Sequence, residues 1–158
     1  MIKRVSRGIY SLPNSIDDPY YELQLKYQKL VYYQETALSL HNLTDVTFSK
    51  ITGTVPKNYN YHYLVKEIRL NVVRVNSKRY EIGVEQIMSP FGNKITVTNK
   101  ERTLCDILLK RRQIDVRIIN VVFKYYLNSL DKDLNILVRY AKIFKVERLV
   151  RNYIEVLL

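Results

Sequence analysis

The chain has 158 residues, with 26 Lys+Arg against 15 Asp+Glu, one Cys, two His, 14 Tyr and no Trp, for a formal net charge of +11. With 47% hydrophobic residues it can bury a core, which excludes disorder as its main state. A single Cys105 excludes a disulfide framework and a cysteine-based zinc site.

Residues 1–13 read as a short hairpin. Val5 leads into Ser6-Arg7-Gly8, whose glycine suits a tight turn, and Ile9-Tyr10-Ser11-Leu12 alternates until Pro13. Asp17-Asp18-Pro19 places acids and a proline where a helix begins. Leu30–Tyr33 then suggests a strand and Gln34–Asn42 a small helix. The period changes in the middle of the chain, where Ile51–Pro56, Ile68–Val75, Tyr80–Met88 and Ile95–Val97 read as strands. Pro90-Phe91-Gly92-Asn93 supplies a turn between the last two.

From Thr98 onward the pattern is helical. Thr98-Asn99-Lys100-Glu101 reads as a capping box with Thr98 as the cap. Leu104, Ile107 and Leu108 form the apolar stripe of the helix that follows, and Arg102 with Asp106 makes an i,i+4 pair. A helix over Val116–Leu130 is expected to bury Ile119, Val122, Phe123, Tyr126, Leu127 and Leu130. Asp131 or Asp133 caps a third helix ending near Phe144, and Glu147 opens a fourth reaching Leu158. The expected fold class is α+β: a small mixed sheet with short helices, then a C-terminal bundle of about four helices.

No phosphate-loop, dinucleotide, zincin, CxxC or nucleophile-elbow motif occurs, so neither a catalytic residue nor a cofactor or metal site is expected. His41 and His62 lack an obvious third ligand, and a turn with an N-cap accounts for Asp131-Lys132-Asp133. Cys105 falls mid-helix beside Leu104, as a buried inert thiol would. Tyr59, Tyr61 and Tyr63 would line one face if extended, either as a base-stacking platform or as cover for a sheet edge. No run approaches the roughly 18 apolar residues of a membrane span. Val5-Ser6-Arg7-Gly8 follows the basic start where a signal peptide would be apolar, so a soluble, cytoplasmic protein is expected.

The positive surplus favours an anionic partner, nucleic acid first. It is spread along the chain, with 12 Lys+Arg against 6 Asp+Glu in residues 1–79 and 14 against 9 in residues 80–158. Lys3, Arg4 and Arg7 crowd the hairpin. Lys110, Arg111 and Arg112, with Arg117 close behind, gather at a helix C-terminus, where cations also offset the dipole. Arg139, Lys142, Lys145, Arg148 and Arg151 recur every third residue, which on one straight helix would spiral around the axis. A break near Lys145 would make two local pairs of them, Arg139/Lys142 and Arg148/Arg151.

Five segments occur in order: Arg4-Val-Ser-Arg-Gly-Ile-Tyr10, Gln34-Glu-Thr-Ala-Leu-Ser-Leu-His41, Ile51-Thr-Gly-Thr-Val-Pro56, Ser89-Pro-Phe-Gly-Asn93 and Lys100-Glu-Arg-Thr-Leu-Cys-Asp106. Together the set resembles the AbiEi antitoxins, partners of AbiEii toxins in bacterial abortive-infection (type IV toxin–antitoxin) systems. The resemblance implies an N-terminal winged helix-turn-helix that represses the operon by binding promoter inverted repeats. It also implies a C-terminal domain that counters a nucleotidyltransferase toxin and assists repression through a positive surface. On that pattern residues 1–13 match the wing and residues 14–158 the antitoxin domain, divided into an α/β part (14–98) and a helical part (99–158).

The helices that precede the wing in the family, the recognition helix included, are not in this sequence. Weak or non-specific DNA contact is therefore expected in place of operator reading, and no stable complex with the toxin. Gln34 and Asn42 stand where relatives are expected to carry His and Gly. A DNA-binding accessory module without antitoxin activity is the alternative, and an enzyme that modifies the toxin or its product is a second one.

Overall fold

A computed structural model describes residues 2–13, 15, 17–67 and 69–158. Strands β1 (Lys3–Ser6) and β2 (Ile9–Ser11) form the expected antiparallel hairpin, with a bulge between Arg4 and Ser6 and Gly8 at φ 76° in the turn. Met1 and Asn14, at the limits of the expected hairpin and second part, lie outside the described residues. Helix α1 (Pro19–Lys26) starts as read: the Asp18 carboxylate accepts from the Tyr20 and Tyr21 amides, and Pro19 occupies the first turn.

Strand β3 (Val31–Tyr32) leads into α2 (Gln34–Leu40), and β4 (Ile51–Pro56) and β5 (Leu70–Val75) follow. Ile68, the expected first residue of that last strand, lies outside the described residues. A short helix, α3 (Ser77–Glu81), precedes β6 (Val84–Met88) and β7 (Lys94–Thr98). The five longer-range strands make one mixed sheet in the order β5-β4-β3-β7-β6, with β4/β5 and β3/β7 parallel and the other two pairs antiparallel. Four helices complete the chain: α4 (Lys100–Leu109), α5 (Val116–Asn128), α6 (Leu134–Ile143) and α7 (Glu147–Leu157). The fold is thus α+β, a small mixed sheet and then four helices.

Four expectations need correction. The strand expected over Tyr80–Met88 begins only at Val84. The Asn76 side chain accepts the Arg79 amide and starts a helical turn, and Gly83 at φ 66° then reverses the chain into the strand. The cap of α4 is Asn99, whose side chain accepts the Arg102 amide. Thr98 ends β7 and shares its hydroxyl with that of Thr103, while Glu101 turns inward to accept from the Tyr126 hydroxyl at 2.7 Å and the Asp133 amide at 3.3 Å. Leu130, expected inside, is fully exposed because α5 ends at Asn128. Lastly, Tyr59, Tyr61 and Tyr63 are not on a strand, since the chain makes turns and a 3₁₀ turn over Leu64–Lys66 there.

Two apolar clusters lie on either side of α2. Ala37 joins Tyr27, Leu30, Tyr32, Val55, Ile95 and Val97 over the sheet, whereas Leu38 joins Leu104, Ile107, Phe123, Leu137 and Val150 among the helices. Successive residues of one short helix thus feed both cores. Within the helical cluster, α4 is buried continuously from Glu101 to Leu108.

Arg102 and Asp106 on that helix are each 1% exposed, so the i,i+4 pair read from the sequence is an internal one. The Arg102 Nε donates to both Asp106 oxygens, and its Nη1 donates to the carbonyls of Arg79 and Ile82. The guanidinium also lies over the Phe144 ring, 4.5 Å from its centroid. Arg102 therefore ties α4 to the α3–β6 link and to the end of α6. Burial pushes the Asp106 carboxyl up to about 7, while Arg102 pulls it down.

A second polar joint closes the sheet end. The Asp18 Oδ2 accepts from the Ser89 hydroxyl and from the Asn93 side-chain Nδ2 at 2.9 Å, while Oδ1 caps α1. Asp18→Ala removes the cap and leaves two donors unpaired, and is expected to lower stability by about 2–3 kcal/mol. Asp18→Asn keeps a cap acceptor and should cost less. Urea midpoints at unchanged m-value would check both, and equal midpoints for Asp18→Ala and the wild type would show that the joint is slack.

Candidate functional site

The cations singled out in the sequence fall into three separate places. On the hairpin, Lys3 and Arg4 are neighbours in one strand and so point to opposite faces. Lys3 reaches Asp17 at 3.8 Å, Arg4 lies opposite Tyr10, and Arg7 sits in the turn.

At the end of α4, Lys110 is a brace. Its Nζ donates to Glu35 at 2.7 Å and to Gln34 at 3.3 Å, which fixes the start of α2 against α4. Arg111 donates to the Leu108 carbonyl at 2.9 Å, as expected of a cation at a helix C-terminus, and Arg112 is exposed. Arg117 is held by Asp115, the cap of α5, at 2.7 Å, and that hydrogen bond keeps the Asp115 carboxyl down near 2.

Lys145, at φ 59°, breaks the chain between α6 and α7 at the position anticipated. Across the break Lys142 and Arg151 share Glu147, at 4.0 and 2.8 Å. The two pairs thus meet through an acid, and its one negative charge offsets one of their four positive charges locally. Arg139 and Arg148 are exposed. Among the described residues, Arg4, Arg7, Arg111, Arg112, Arg139 and Arg148 carry no carboxylate partner, so the free positive charge of the candidate set is borne by arginines.

The other flagged residues are structural. Burial pushes the Cys105 thiol up to about 12, and it is no nucleophile at neutral pH. The His41 Nε2 meets the Thr98 carbonyl at 2.7 Å and Glu85 at 3.6 Å, and burial holds the ring below the usual histidine range. Asp131 pairs with Lys100 at 2.7 Å, and Asp133 caps α6 through the Ile136 amide.

A cleft of about 1010 Å³ opens where the hairpin turn, the end of α1 and the Tyr59–Glu67 segment converge. Arg7, Lys26 and Lys66 line it against one acid, Glu67, and Tyr27, Tyr59 and Tyr63 supply aromatic surface. Lys26 is paired with Glu67, and the Tyr27 hydroxyl donates to the same carboxylate at 2.9 Å. These bonds hold Glu67 below the usual carboxylate range and raise Lys26. Lys26 and Lys66 escaped the sequence reading because neither stands in a cluster, and only the alternating tyrosines hinted at the place.

Compared with known proteins, the chain matches no protein-family model and no curated sequence. Among the described residues, no helix is long and apolar enough to cross a membrane. The five segments that carry the family resemblance can be located in the fold. Gly53 of the third lies against Leu30, where a Cβ would come within 2.4 Å of Leu30 Cδ1. The Thr36 hydroxyl of the second accepts the Thr52 amide of the third at 2.7 Å. The fourth closes on Asp18, and the fifth contains Arg102 and Asp106. Outside the hairpin, the resemblance thus rests on joints of the fold, while the free arginines lie elsewhere.

Proposed function

We propose that the chain is an AbiEi-like antitoxin domain acting in the bacterial cytoplasm. It would counter a nucleotidyltransferase toxin of the AbiEii type without catalysis of its own, and its exposed arginines would assist DNA binding in operon repression. The observation that carries this reading is the ordered set of five segments, four of which coincide with joints of one α+β unit. Segments that hold a fold together are the ones a protein of the same fold would need, and the antitoxin activity comes with the resemblance alone. The free arginines just past α4, within α6 and at the start of α7 support the ancillary part, since a surface of this sign attracts phosphate backbones without reading bases.

Co-expression with an AbiEii-type toxin from the same genome is expected to restore growth, and failure to rescue at adequate expression would overturn the proposal. Arg111→Glu with Arg112→Glu, or Arg139→Glu with Arg148→Glu, should leave the melting temperature within a few degrees while at least one pair weakens rescue. All these side chains are exposed, and surface substitutions cost little stability. Full rescue by both pairs would remove the basic surface from the antitoxin role. The accessory-module reading predicts the reverse pattern: no rescue, but DNA affinity that falls steeply with salt. Transfer of a labelled nucleotide by this chain to or from the toxin would instead reveal an enzyme.

A further inference from the structure

The cleft at the hairpin turn has a property that the arginine surfaces lack. Tyr63 is 66% exposed, although its backbone is anchored on its C-terminal side. Its carbonyl accepts from the Lys66 amide at 3.3 Å, and the next residue, Leu64, is fully buried in the sheet cluster. The neighbouring tyrosines of the segment behave differently. Tyr59 and Tyr61 pack half-buried against that same cluster, and Arg74 lies over the Tyr61 ring at 4.1 Å. One aromatic ring is therefore displayed on an anchored turn while its companions are used up in packing. The Lys66 ammonium stands 5.7 Å from its centroid, and Arg7 borders the same cleft. With Lys26 neutralised by Glu67, the charge left at the cleft is that of Arg7 and Lys66.

A displayed ring flanked by unpaired cations is the arrangement that unpaired nucleotides use: the base stacks and the flanking phosphates meet the charges. We propose that this cleft binds single-stranded nucleic acid, with one unpaired base stacked on Tyr63 and its neighbouring phosphates held by Arg7 and Lys66. Double-stranded DNA fits less well, because a base inside the duplex already stacks on both faces and presents only its edges to the grooves. The cleft's volume, about 1010 Å³, is ample for a nucleotide. This inference stands apart from the antitoxin reading, which needs neither Tyr63 nor an unpaired strand.

The test uses the full chain and a short oligothymidylate carrying one 2-aminopurine, read by fluorescence anisotropy and by quenching of the 2-aminopurine. Wild-type protein is expected to bind the strand and quench the probe. Tyr63→Ala should weaken binding about tenfold and abolish the quench, whereas Tyr63→Phe should retain both, since stacking needs the ring and not the hydroxyl. An abasic strand of equal length should bind wild type and Tyr63→Ala alike. Lys66→Gln should reduce the salt dependence by about 0.7 in log–log slope, one phosphate contact on a single strand. Tyr63 is exposed, so all Tyr63 variants should melt with the wild type.

Unquenched probe on the bound wild type, or Tyr63→Ala binding within twofold of it, would overturn the proposal. Tighter binding of a hairpin duplex than of the single strand would assign the cleft to duplex backbone and overturn it as well. The growth-rescue assay is read separately, so failure of either proposal leaves the other to its own result.

Discussion

Arg102→Met is expected to destabilise the fold by about 3–5 kcal/mol, the range for removing one partner of a buried charge pair. For a chain of this length that is a fall in melting temperature of roughly 6–20 °C. The pair is closed to water, and Arg102 also supplies the donors for the Arg79 and Ile82 carbonyls. Methionine fills much of the space but satisfies none of these acceptors. Asp106 would then relieve its buried charge by binding a proton, since its carboxyl is already pushed up to about 7 with Arg102 in place.

That response gives the variant a distinctive pH dependence. In the unfolded chain the carboxyl ionises above its ordinary value of 3.8, whereas in the folded variant it stays protonated. The folded state then binds one proton more than the unfolded state. Between about pH 7 and pH 9, where Asp106 ionises in the folded wild type but stays protonated in the variant, the stability of Arg102→Met should fall as pH rises, by up to about 1.4 kcal/mol per unit relative to the wild type. Adding Asp106→Leu should remove this slope and recover part of the loss. About 1–3 kcal/mol should remain, because the two carbonyls still lack a donor. Urea melts of the three proteins across that pH range provide the check. A loss below about 1 kcal/mol for the single variant would mean that water enters the joint.

The same joint marks the boundary of what the sequence made legible. The helix start at Asp18-Pro19, and that of α6 at one of Asp131 or Asp133, could be read because a cap is a local arrangement of adjacent residues, and Asp133 is the one used; α7 starts at Glu147 as read, without a side-chain cap. The hairpin turn at Gly8 and the turn at Gly92 were readable for the same reason. Arg102 and Asp106 were visible as a pair, but their burial was not. The helix that carries them has charges at positions 100, 101, 102 and 106, and nothing in that local pattern signals that Glu101–Leu108 are all covered by neighbours. The local signal at Asn76 was present and lost to the alternation of Tyr80–Met88, which continued past the glycine that ends the helical turn.

The cleft was the least legible feature. Arg7, Lys26 and Lys66 are spaced far apart along the chain, and only the packing of the hairpin turn, α1 and the tyrosine segment makes them neighbours. The tyrosine alternation pointed to the right segment for the wrong reason. It suggested a face of three rings, whereas turns leave a single ring displayed.

Gly83→Ala is expected to cost about 2–5 kcal/mol, and two other glycines allow the cause to be separated. Gly83 has φ 66°, a conformation that penalises any L side chain by about 1–2 kcal/mol. Its Cβ would in addition stand 2.7 Å from Arg102 Cβ, 2.9 Å from Asn99 Oδ1 and 3.2 Å from a Tyr140 ring carbon. The first two belong to one constrained corner. Asn99 caps α4, its amide donates to the Gly83 carbonyl at 2.6 Å, and Arg102 is fixed by the buried pair. None of these atoms is the free end of a flexible side chain, so crowding should add about 1–3 kcal/mol.

Gly8 and Gly92 also have positive φ, at 76° and 89°, but an added Cβ would meet nothing within 4 Å at either. Gly8→Ala and Gly92→Ala should therefore show the conformational penalty alone. The difference between Gly83→Ala and these two, read from urea midpoints at unchanged m-value, measures how firmly α4 is pressed against the β6 end of the sheet. Equal losses at all three positions would show that this corner yields, and that Arg102 holds it by charge and hydrogen bonds alone.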